Sequence, residues 1–347
     1  MSDASHPDTP SPLPPAPALS TVCLPPEVWG ADLAAAAAAK TSWLWDGYLA
    51  HGNVTLLTSQ WKSGKTTLLS ILLARRETGG EVAGLALAPG RTAVVSEESA
   101  LLWNERRQKL GFGPSVAFQC RPFRGKPTTE QWLALIDRLA DLNVRRGVDL
   151  AVIDTLASFL PGRDESNAGL MLEALLPLQH LTERGMAVLL LHHPRKGAPA
   201  DAQAARGTGA LAGYADIVLE MRHYTRAAED DRRRVLHGYS RHEQTPRVRV
   251  IELNPEGTDY RCLGALADLE FEETWEQLRR LFEAAHSKRT RAEVLAAWPV
   301  DAVAPNEGTL WRWLDQAVAR GLLRCEGAGR KTAPFRYWLP GQEEKWK

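Results

Sequence analysis

The sequence predicts an α/β fold: a mostly parallel central sheet with helices on both faces, followed by a small helical domain that ends in a hairpin. Three observations carry this. Short apolar runs alternate with helical patterns through most of the chain. Several of those runs are apolar on both faces, as parallel strands covered by helices must be. From about Glu272 the character changes to three helical segments and a Gly-containing basic turn. A length of 347 residues suits one larger domain plus a smaller one.

Residues 1–27 are rich in Pro, Ser, Thr and Ala and hold few side chains that could be buried, so they are expected to be disordered. The main domain is expected over residues 28–265 and the smaller one over 270–340. An Ala-rich segment and the Trp-rich TSWLWDGYLAHG lead into the first strand, Val54 to Thr58. Further strands are read at Thr92 to Ser96, Val116 to Cys120, Leu150 to Asp154 and Ala187 to His192. Beyond Gly213 the runs DIVLEM, RVLHGYS and VRVIEL follow closely, with only turn-like residues between them. They read as an antiparallel extension of the same sheet. No internal repeat is visible.

Composition narrows the function classes. Lys plus Arg number 42, as do Asp plus Glu, so no global field draws the protein onto nucleic acid and any such binding must be local. The four cysteines, Cys23, Cys120, Cys262 and Cys325, form no Cys-x-x-Cys pair, which argues against a zinc site or disulfide framework. A reducing cytoplasm is the expected home. No apolar run reaches membrane-spanning length, and the N-terminus lacks the basic-then-apolar order of a secretion signal.

The most informative stretch is LLTSQWKSGKTT, Leu56 to Thr67, where an apolar strand runs into Lys62-Ser63-Gly64-Lys65-Thr66-Thr67 and then into an apolar helix. That order is a cradle for nucleotide phosphates. Backbone N–H groups of the loop and the helix N-terminus face the phosphates, Lys65 reaches the β and γ phosphates, and the Thr66 hydroxyl can hold Mg²⁺. The usual pattern opens with Gly five residues before the Gly-Lys pair. Here Ser59 stands there, which fits only where the loop needs no positive φ.

Three further strand ends carry polar groups. Leu150-Ala-Val-Ile153 ends in Asp154, the right shape for a carboxylate that orders the water shell of Mg²⁺, at the strand end where open α/β sheets bind ligands. Thr92 to Ser96 ends in Glu97-Glu98. A carboxylate there could orient or deprotonate the water that attacks a γ-phosphate, or the pair could simply favour a helix N-terminus. Strand alternation predicts that one of the two faces the site. The run Leu189-Leu-Leu ends in His192-His193-Pro-Arg195-Lys196, polar groups able to touch a γ-phosphate or to cap the strand. No Cys or carboxylate nearby in sequence completes a metal site with the histidines.

Together KSGKTT, SEES, AVIDT, LLLHHPRK, the turn Ala205-Arg206-Gly207-Thr208-Gly209 and Ala215-Asp216 resemble the RecA-like P-loop ATPases. The likeness is specifically to the RepA-like branch of hexameric replicative helicases, AAA-family ATPases of the AAA_25 type, over roughly residues 40–255. The resemblance implies ATP with Mg²⁺, a homo-oligomer that closes as a hexameric ring, and DNA bound through core loops. It implies that Glu97 is the catalytic glutamate, with Glu98 beside it, and that His193 senses the γ-phosphate. It also implies a basic finger that reaches the neighbouring subunit's nucleotide, which maps onto Arg241 in His237-Gly-Tyr239-Ser-Arg241-His242. The family often has lysine where Tyr239 stands. Arg206 is either an alternative finger or a turn-fixing residue.

The last segments, TWEQLRRLFEAA, TRAEVLAAW, GTLWRWLDQAVARGLL and CEGAGRKTAPFRYWL, suggest a winged helix-turn-helix. Its 13 Lys and Arg against 11 Asp and Glu over residues 272–347 give little net charge. Local basic groups, Arg312 on the recognition helix and Arg330, Lys331 and Arg336 at the wing, could meet phosphates, or the module could contact protein. Trp311, Trp313 and Trp338 read as core. The leading expectation is an ATPase acting on DNA, with helicase as its strong form. Two others stay open: a repair, recombination or signalling ATPase without unwinding, and a nucleotide-switched DNA-binding regulator with little hydrolysis.

Overall fold

Each of the five apolar runs forms a strand of one sheet. The computed structural model describes residues 27–33, 41–162, 167–193, 209–224, 230–300, 302–330 and 332–346. The chain divides into two compact units, residues 1–40 and 41–347. In the first, Gly30–Asp32 make a single 3-10 turn and Val28, Trp29 and Leu33 are exposed. Apart from Glu27, the tail expected over 1–27 lies outside the described residues.

In the second unit the main strands are β1 Val54–Ser59, β2 Arg91–Ser96, β3 Val116–Cys120, β4 Val148–Asp154, β5 Ala187–His192, β6 Ile217–His223, β7 Arg233–Ser240, β8 Val248–Leu253 and β9 Tyr260–Gly264. Among the described residues they form one sheet in the order β9-β8-β7-β6-β1-β5-β4-β2-β3. From β6 to β3 neighbouring strands are parallel, and β7, β8 and β9 continue as an antiparallel meander. This corrects the expectation for DIVLEM, which runs parallel to β1. The extension begins one strand later, because helix Gly209–Tyr214 carries the chain across between β5 and β6. β9, absent from the sequence reading, closes the edge.

Both faces of the parallel strands are covered, which explains why they read as continuous apolar runs. On one face Leu57, Val94, Val152 and Leu191 pack with Leu68, Leu69, Leu72 and Trp103 of helices α1 Lys65–Arg75 and α2 Ala100–Leu110. On the other, Leu56, Val95, Ile153 and Leu190 meet Trp132, Leu135 and Leu139 of α3 Thr129–Arg146, with Met171 and Leu175. A Thr128/Gln131 capping box starts α3, and Gly147 in the left-handed conformation ends it. The Trp-rich segment was read only as a lead-in. It supplies Trp43–Trp45 and Leu49–Ala50 to a second sheet with Gly80–Val82 and Leu85–Leu87, locked by the Trp45 indole N–H donating to Val82 O at 3.1 Å.

From Leu266 a long helix, Leu266–Glu283, is followed by helices Arg291–Ala296 and Glu307–Ala319. A three-stranded sheet, ordered Arg289–Thr290, Arg336–Trp338, Arg324–Glu326, packs with them around Phe271, Leu278, Phe282, Val294, Leu310 and Leu314. Trp338 is buried and Trp313 half-buried in this core. Trp311 is 44 % exposed, against the expectation that all three tryptophans are core. No helix among the described residues is long and apolar enough to cross a membrane.

Candidate active site

Lys65 opens α1 immediately after β1 and a five-residue loop. Gly64 takes φ 99° at the N-cap and no side chain caps the helix, so the first N–H groups of α1 stay open to an anion. The loop's other left-handed residue is Lys62, at φ 61°, while Ser59 is not in that region, so the serine in place of glycine costs no backbone strain. Its hydroxyl is instead part of the site. The Lys65 ammonium donates to Ser59 Oγ at 2.7 Å, to Ser59 O at 2.9 Å and to His193 Nδ1 at 2.9 Å. Since Lys65 is only 4 % exposed, burial pulls its ammonium down to about 8, with Asp154 opposing the fall.

Asp154 ends β4 at the same edge, with β5 lying between β4 and β1. Its carboxyl is 3 % exposed and pushed up to about 7, mainly by burial, then by Glu98 and Glu97, against Lys65 and Arg106. The two glutamates follow β2 rather than lying in it, so strand alternation does not govern them, and both act on Asp154. They differ in what holds them. Glu98 is paired with Arg106 of α2. Glu97 is exposed, accepts from the Ser158 hydroxyl and lies 3.5 Å from Thr155 Oγ1, while its own N–H donates to Asp154 O at 2.9 Å. Burial and the nearby Lys65 hold His193 below the usual imidazole range, so Nδ1 is free to accept from the ammonium.

Four strand ends, those of β1, β2, β4 and β5, thus bring Lys65, Glu97, Asp154 and His193 to one edge of the sheet, where open α/β sheets bind ligands. A family model for the AAA domain, AAA_25, matches residues 18–199, just over half the chain. The chain belongs to this AAA domain family. No curated protein matches it. A domain of this kind is a P-loop ATPase, which implies bound nucleotide. The match ends before β6, so Arg206 and Arg241 lie outside it.

The donor set of the AAA domain suits Mg²⁺. Among the described residues Asp154 Oδ2 is a buried oxygen with no hydrogen-bond partner, set among like charges that favour a cation, and the half-buried Thr66 hydroxyl lies one residue after Lys65.

Not every sequence-derived candidate joins this edge. Arg241 follows the end of β7 at the opposite edge. Ser240 is in register with Ile217 and Ile217 with Thr55, so about 15 Å of strand separates Arg241 from its own phosphate loop. It is 76 % exposed, with Asp216 4.0 Å away. Arg206, Arg195 and Lys196 lie outside the described residues. Thr155, Ser158 and Arg106 were not singled out, although Asp-Thr-x-x-Ser puts the two hydroxyls one helical turn apart at the end of the Asp154 strand. Arg234 was also missed. It lies in the run Asp231-Arg-Arg-Arg234, where no spacing marks one arginine from the next.

Proposed function

We propose that the protein hydrolyses Mg²⁺·ATP at this edge, assembles head to tail through its RecA-like core into a hexameric ring, and couples turnover to DNA. The convergence of Lys65, Asp154, Glu97 and His193 carries the reading. In it the α1 N-terminus with Thr66 and Thr67 cradles the phosphates, Lys65 transfers its contacts from Ser59 to the β and γ oxygens, and His193 follows the γ-phosphate. Glu97, held by Ser158, orients the attacking water. Bound Mg²⁺, held by Thr66 and Asp154, would neutralise charge on the β and γ oxygens.

Arg241, about 15 Å of strand away, cannot serve its own site, and its exposure suits a finger supplied to a neighbour. A DNA role rests on the C-terminal region, read as a winged helix with Arg312, Arg330 and Arg336 exposed, and on core loops. A helicase is the strongest form of this proposal.

The test is steady-state ATP hydrolysis with and without single-stranded DNA, using Lys65→Ala as the blank. We expect stimulation by DNA and loss in Lys65→Ala. Arg241→Ala doped into unsubstituted protein should lower activity more than simple dilution does. Nucleotide binding with hydrolysis no greater than the blank would overturn the motor in favour of a nucleotide-switched DNA-binding regulator. DNA-stimulated hydrolysis without strand displacement would favour a repair or recombination ATPase.

A further inference from the structure

Arg234 lies on β7, outside the segment matched by the family model and at the same sheet edge as the phosphate loop. Its Nε donates to Ser63 O, within that loop, at 2.8 Å. Its Nη1 donates to Asp231 O at 2.6 Å and to Arg233 O at 2.8 Å. Several other half-buried or buried arginines of the core carry a carboxylate: Arg222 pairs with Glu220, Arg233 with Asp231, Arg106 with Glu98 and Arg76 with Asp149. Among the described residues Arg234 donates to carbonyls, and the Asp231 carboxylate beside it is taken by Arg233. Among the described residues no side-chain carboxylate pairs with it.

The Ser63 carbonyl needs such a partner. Lys62 at φ 61° and Gly64 at φ 99° flank it, and these two left-handed residues turn the loop so that peptide N–H groups can face one side. Alternating peptide direction sends carbonyls the other way. A carbonyl that swung back into the cradle would oppose an anion. The guanidinium fixes it outward and places a positive charge behind the loop.

We infer that Arg234 is a positioning residue for the phosphate loop, holding the Ser63 carbonyl outward so that the loop binds the polyphosphate of a nucleotide. The inference rests on the nucleotide-binding reading of this edge. It assigns to β7 a role in ground-state binding, apart from the chemistry of Glu97.

Calorimetric titration of the full chain with Mg²⁺·ADP, together with ATP kinetics, tests it on Arg234→Ala and Arg234→Lys. Arg234→Ala should weaken ADP binding about tenfold or more and raise KM by a similar factor, with kcat changed less than about threefold. Arg234→Lys can still donate to Ser63 O and should recover most of the loss. A purely structural role would lower binding stoichiometry and leave Kd unchanged. Kd and KM within about twofold of the unsubstituted protein in Arg234→Ala, or no recovery in Arg234→Lys, would overturn the inference. If Arg234→Ala does not fold, Arg234→Lys decides: near-native Kd supports the inference, and a Kd weakened about tenfold overturns it. Failure of the unsubstituted protein to bind ADP would overturn the nucleotide reading itself, and this inference with it.

Discussion

Replacing Glu97 with glutamine is expected to lower ATP turnover by about 10²- to 10⁴-fold while nucleotide stays bound. The amide keeps the length of the side chain and can still accept from the Ser158 hydroxyl that holds Glu97 in place. It loses the anionic oxygen that orients or deprotonates water. Glu98 is a poor substitute because Arg106 already holds its carboxylate. Single-turnover hydrolysis alongside ADP titration separates the two effects. If Glu97→Gln kept more than about a tenth of the rate while Glu98→Gln lost it, the role would pass to Glu98.

The second large effect concerns stability, and it runs against activity. The Asp154 carboxyl rises from its ordinary 3.8 to about 7 in the folded chain. Across that window the folded state holds a proton the unfolded state has lost, so stability of the nucleotide-free protein falls as pH rises and the cost is complete above about 7. This disfavours the ionised form by roughly 4 kcal/mol. Asp154→Asn removes that cost, which already includes the opposing Asp154–Lys65 attraction, and after allowance for the amide's own burial the net gain should be about 1–3 kcal/mol at pH 8. It should be smaller at pH 5, where the native carboxyl is already protonated. Urea midpoints of both proteins at the two pH values measure this, and hydrolysis should be lost in the variant. With Mg²⁺·ADP present the order should reverse, since metal and nucleotide bind the native site. Equal destabilisation of Asp154→Asn at pH 5 and pH 8 would contradict the electrostatic account.

Much of this edge was legible because strand and chemistry coincide in sequence. Apolar runs ended in Asp154, in Glu97 and in His193, and the loop after Ser59 fixed Lys65 on a helix N-terminus. Strand direction was not legible in the same way. Ile217–His223 has the composition of an antiparallel strand as much as of a parallel one, and the crossover through Gly209–Tyr214 decides between them. The Trp43–Trp45 strand was hidden by its turn-rich surroundings, since its partner Leu85–Leu87 lies some forty residues on. The bond between Arg234 and Ser63 spans 171 residues, and no local pattern encodes it.

β7 is hydrogen-bonded along both edges, to β6 and to β8. A strand paired on both sides cannot slide without breaking two ladders, so it holds its two ends at a fixed spacing. Arg234 grips the phosphate loop near one end, and Arg241 follows the other end, about 24 Å away. The phosphate loop and the exposed arginine on the far side of the sheet are thus set on one strand, and the distance between them is a fixed length of the fold.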